Sequence, residues 1–140
     1  MKKLVMLGSA LAVLACAGIS GVRAGSAYEE TPSVKEIMKK INGGPKSISG
    51  KLKTALKSSK PDWSVIQEDT KEYVELSEAL AKNEPKKGSK ESWEKLSKGY
   101  LDHATALDEA AKKENKAGVQ AALKKAGATC KACHTAHKGK

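Results

Sequence analysis

Apolar residues along this chain recur at intervals of three and four, and no stretch alternates convincingly as a half-buried strand would, so the pattern predicts helices throughout. Val34, Ile37, Met38 and Ile41 fall on one face of a first helix. Thr31-Pro32-Ser33 precedes it, with Ser33 and Glu36 spaced as a capping box, and Asn42-Gly43-Gly44-Pro45 stops or sharply bends it. Ile48, Leu52 and Leu56 keep a four-residue spacing as far as Ser58-Ser59-Lys60-Pro61, which predicts a second piece of the same broken helix. With Pro61 as a first helical position, Trp63, Ile66, Tyr73, Leu76 and Leu80 mark a long amphipathic segment that Asn83-Glu84-Pro85 and Gly88 end. Ser89 opens the next, where Trp93, Leu96, Tyr100, Ala104, Leu107 and Ala111 hold the period until about Lys112. Past the cap Asn115, the last helix aligns Val119, Leu123, Ala126, Cys130 and Cys133. Four amphipathic segments with short joints predict an all-α, antiparallel four-helix bundle.

The beginning of the chain has a different character. Lys2 and Lys3 precede an apolar run from Leu4 to Ile19, with no acid before Glu29, which is the layout of a secretory signal. Val22-Arg23-Ala24 suits cleavage after Ala24, leaving residues 25–140 as one domain; Val13-Leu14-Ala15-Cys16 is a rival lipidation box that would anchor the protein through Cys16. Gly8, Gly18, Ser20 and Gly21 interrupt the run, which is short for a transmembrane span. The expected location is therefore the periplasm.

Losing residues 1–24 removes three bases and no acid, lowering the formal charge from +10 to +7. The lysines are interleaved with acids, and no aromatic-basic cluster offers stacking to bases, so nucleic acid is not an expected partner. One cysteine pair remains after the leader, Cys130 and Cys133. In an oxidising compartment the pair would form a disulfide unless other chemistry claims both sulfurs.

Cys130-Lys131-Ala132-Cys133-His134 has the pattern for covalent c-type haem attachment. The i, i+3 spacing puts both sulfurs on one side of a helix, where each can form a thioether. His134, four residues past Cys130, can turn beneath the macrocycle and bind iron through one nitrogen. Competing readings are weaker. A zinc site would have to recruit His134 or His137 and the distant His103. A thiol-disulfide oxidoreductase wants its pair at a helix start, not late in the last helix. Cysteines at i, i+3 in a regular helix are poorly placed to bridge.

Met38 is the only methionine beyond the leader and lies on the apolar face of the first helix, making it the candidate sixth iron ligand, with core filling as the plain alternative. His103 flanks the apolar stripe of its helix and is expected to be partly exposed and non-ligating. His137 is expected at the haem edge near a propionate or in solvent. Lys124, Lys125, Lys131 and Lys138 suit a helix C-terminus and could also steer an acidic partner. The sequence contains no Phe and places Ala at many inward positions, a sparse core in which one haem would supply apolar volume.

These features resemble the class II c-type cytochromes, the family of cytochrome c-prime and cytochrome c-556. The resemblance rests on the CKACH motif at the extreme C-terminus, on 119-VQAALKKAGATCKACH-134, and on 93-WEKLSKGYLDHATAL-107 as the third helix. It implies a four-helix bundle carrying one covalently attached haem c. It also implies that Met38 in 34-VKEIMKKI-41 corresponds to the sixth ligand of low-spin members. High-spin members lack that ligand and bind small gases. Two departures stand out: Thr135-Ala136-His137-Lys138 replaces the aromatic residue and Arg that commonly follow the haem histidine, and Asn42-Gly43-Gly44-Pro45 interrupts the first helix. The expected function is that of a non-enzymatic single-electron carrier serving redox proteins, with a five-coordinate gas-binding protein as the alternative and a zinc-binding module a weaker third. A homodimer is compatible with such a bundle, but no exposed apolar stripe specifies one.

Overall fold

A computed structural model describes residues 31–138, and all the regular structure among them is helical. The five helices are α1 (Val34–Asn42), α2 (Ile48–Ala55), α3 (Trp63–Lys82), α4 (Lys90–Lys112) and α5 (Lys116–His137). They make an antiparallel four-helix bundle whose first member is split into α1 and α2. The leader expected over residues 1–24 lies outside the described residues. No described helix is long and apolar enough to cross a membrane.

Local chemistry sets most of the helix ends. Ser33 and Glu36 form the reciprocal capping box, which satisfies donors at the start of α1. Ser89 accepts from Ser92 N–H at the start of α4, and Asn115 from Gly118 N–H at the start of α5. The start of α3 differs from expectation: Asp62 is the cap, bonded to the amides of Ser64 and Val65, and Pro61 stands outside the helix. At α2 the cap is Ser47, which accepts from Gly50 N–H.

The break between α1 and α2 is a tightly built corner. In an uninterrupted helix Asn42 and Ser49 would sit about 10.5 Å apart along the axis. The corner instead brings the Ser49 hydroxyl within 2.9 Å of the Asn42 side-chain oxygen. Gly50 is required there, since a side chain at that position would run into the carbonyls of Gly44 and Pro45.

Ile37, Ile41, Leu52, Ile66, Tyr73, Leu107 and Val119 are fully buried at the centre. Pairing is most extensive between α4 and α5 and between α3 and α4, and much slighter where α1 and α2 meet α3. The alanines expected to thin the core include Ala104 and Ala111 of α4 and Ala122 and Ala126 of α5, all buried. Such small side chains let these two helices approach closely, with dispersion contacts replacing bulk.

Polar groups inside the bundle are largely paired. Thr70 of α3 donates to Asp108 of α4 at 3.0 Å, and Lys112 meets the same carboxylate at 2.6 Å. Lys51 of α2 reaches Asp69 of α3 at 2.8 Å.

Candidate functional site

Cys130, Cys133 and His134 occupy successive turns of α5, so the helix presents all three on one flank. Both cysteines are free and partly buried, and His134 is exposed. Burial pushes the Cys133 thiol above the ordinary range, with the neighbouring Cys130 adding to it. The Cys130 sulfur lies 3.7 Å from the Ala126 carbonyl, a weak contact within the helix.

These three side chains line a narrow apolar recess of about 30 Å³, open to solvent on one side. Thr129 completes the α5 wall; Met38 comes from α1, Leu80 from α3, and Leu96, Ser97 and Tyr100 from α4. Every member of the bundle except the α2 piece thus contributes to one space. Met38, singled out from sequence, is half-buried against the core and faces the same recess as Cys130 and His134. A wider groove on the outer side of α1 and α2, among Lys39, Lys40, Lys46 and Lys51, contains none of these residues and follows from the helix break.

Behind the recess wall lies a chain of hydrogen bonds. The phenols of Tyr73 and Tyr100 are 2.6 Å apart, with their rings stacked at 5.8 Å. The Asn42 amide donates to Tyr100 at 3.4 Å, and Ser49 donates to the Asn42 side-chain oxygen at 2.9 Å. Burial raises both phenols above the usual tyrosine range, and for Tyr100 the neighbouring Tyr73 pushes the same way.

His137 is placed otherwise than expected. It is buried, neither at a solvent edge nor free, one turn beyond the recess. Its Nδ1 is 2.7 Å from the Lys87 carbonyl and its Nε2 is 3.1 Å from the Ser92 hydroxyl. Because a carbonyl only accepts, Nδ1 carries the proton, and in the neutral ring Nε2 accepts from Ser92. Its ring meets Trp93 edge-on at 5.3 Å. Gly88, at φ +83°, passes so close to the imidazole and the Ala136 carbonyl that no side chain fits. His137 thereby fastens the end of α5 to the segment leading into α4. His103 is half-buried and does not line the recess, as expected for a bystander.

The residues present fit a covalently held haem. Two reduced thiols lie one turn apart on one flank, an imidazole follows them with freedom to turn, and the facing walls are apolar. The indole N–H of Trp93 is buried without a partner among the described residues, one turn along α4 from Ser97 of the recess. A zinc site fits poorly, since no three of the described His, Cys, Asp and Glu side chains converge on one point.

Sequence reasoning had named the motif and Met38 but not Leu80, Leu96, Ser97, Tyr100 or Thr129 as walls of their common space. For Tyr100 a signal existed: a phenol on an apolar stripe needs a partner for its hydroxyl. No curated protein and no solved structure matches the chain. The sequence pattern of the family described as Cytochrome C' matches residues 35–138. Spanning well over half of the sequence, that match shows that the chain belongs to the cytochrome c' family, haem-binding c-type cytochromes with covalently attached haem c.

Proposed function

We propose that the protein is an exported single-electron carrier of the periplasm, with residues 1–24 as its export signal and residues 25–140 as the working domain. Cys130 and Cys133 would hold the haem by thioethers, and His134 and Met38 would be the protein side chains that bind its iron. The haem, once bound, supplies an iron that cycles between ferric and ferrous states. The residues around it do the rest. Leu80 and Leu96 exclude water from the recess, and His134, on the exposed flank of α5, presents one side of the site to partners. Lys124, Lys125, Lys131 and Lys138 are all exposed on and just beyond that helix, which bears no acidic residue, so an acidic redox partner would be steered to this end. No substrate chemistry is assigned to any residue.

The observation that carries this reading is the placing of Met38 opposite Cys130, Cys133 and His134 on one apolar recess. A thioether paired with imidazole is a common arrangement in electron-transfer cytochromes and raises the reduction potential. The test is the optical spectrum of protein matured with covalent haem. A methionine-to-iron charge-transfer band in the ferric state, absent from Met38→Ala, is the expected result. A high-spin spectrum with avid binding of carbon monoxide or nitric oxide would instead assign the five-coordinate gas-binding alternative.

A further inference from the structure

We infer that the hydrogen-bonded chain of Ser49, Asn42, Tyr100 and Tyr73 is a positioning device that holds Met38 against the iron site and thereby sets how readily that site admits other ligands. The inference rests on the reading of Met38 as an iron ligand and adds what keeps it in place.

Met38 and Asn42 are four residues apart on α1, one above the other on the same face. Tyr100 touches both sides of the matter: its side chain lines the recess with Met38, and its hydroxyl takes the hydrogen bond from Asn42. α1 is only nine residues long, is cut from α2 by the corner, and packs far less extensively than α3, α4 or α5. Apolar contacts of Ile37 and Ile41 hold it to the core but resist sliding and rotation poorly, because they are not directional. The Asn42 side chain supplies the directional tether. It is itself oriented by Ser49, which the corner delivers to its oxygen, while Tyr73 orients the Tyr100 hydroxyl. The corner that interrupts the first helix is thus part of the device that aims it.

An external ligand competing for the iron can bind only in the fraction of molecules whose Met38 has let go, so its apparent affinity reports that fraction directly. Removing one hydrogen bond from the tether should raise the fraction, and the affinity, about five- to tenfold. The holoprotein is titrated with imidazole, and the ferric methionine band is recorded for wild type, Asn42→Leu, Tyr73→Phe, Met38→Ala and Thr70→Val. The last removes the Thr70–Asp108 bond between α3 and α4 and serves as a control for general destabilisation, with urea unfolding measured on every variant.

Asn42→Leu and Tyr73→Phe are expected to weaken or shift the methionine band and tighten imidazole binding about five- to tenfold. Thr70→Val should lose stability without either change, and Tyr73→Phe should add nothing in a Met38→Ala background. A wild-type band that persists in Asn42→Leu and Tyr73→Phe with unchanged imidazole affinity overturns the positioning role alone. A wild-type protein without the band overturns the Met38 reading and the positioning role with it.

Discussion

Tyr73 and Tyr100 face an environment that penalises charge, and their ionisation should be visible as a stability effect. Both phenols are held above the ordinary value of 10.0, chiefly by burial. In the unfolded chain they lose protons as pH passes 10, whereas the folded state keeps them protonated. The unfolded state therefore binds fewer protons there, and stability, complete below pH 10, falls as pH rises beyond it. We expect the midpoint of urea unfolding to drop steadily above pH 10 and these two tyrosines to ionise only as the protein unfolds. Tyr73→Phe should reduce the slope of that decline. A phenol that titrates freely near pH 10 in fully folded protein would contradict the assignment. That each phenol needed a partner was readable from a tyrosine on an apolar stripe, but which partner was not: Tyr73 and Tyr100 are 27 residues apart, and Asn42 and Tyr100 58. His137 was illegible for the same reason, since Lys87 and Ser92 lie 50 and 45 residues away from it.

Helix starts were written locally, and most of them could be read. Ser33, Ser89 and Asn115 each act within three residues of themselves, so a short motif contains the whole interaction. Ser47 caps α2 in the same way, through Gly50 N–H, but stands just past Asn42-Gly43-Gly44-Pro45, where the sequence reads as a break and not as a helix start. The corner between α1 and α2 was foreseen as an interruption from Asn42-Gly43-Gly44-Pro45, yet not as a structure with its own bonds. Its dependence on Gly50 gives a test at this level. Gly50→Ala places a methyl group against the Gly44 and Pro45 carbonyls and should cost about 1–3 kcal/mol, although alanine is the better helix former. Urea unfolding measures it. A stabilised variant, as expected for an ordinary exposed glycine in a helix, would show that the corner yields easily.

At the level of the molecule, fold class and covalent haem attachment followed from two strong signals, the helical period and CKACH. The distribution of packing did not. Buried alanines looked like missing volume, whereas four of them belong to α4 and α5, the most extensively paired helices. His137 closes that pairing at its far end, so α3, α4 and α5 form a continuous unit built from neighbours in sequence, to which α1 is attached by less. In the language of folding, the unit should assemble early through short-range contacts, and α1 should dock last. It should also be the first part to leave, opening in excursions that do not unfold the remainder. Native-state hydrogen exchange would register this as amides of residues 37–42 exchanging with a free energy clearly below that of α4; equal values for both would mean that the bundle opens only as a whole. The slight docking of α1 would then give the protein a clock. The rate at which one short helix lifts away would limit how fast a small molecule reaches the face opposite His134.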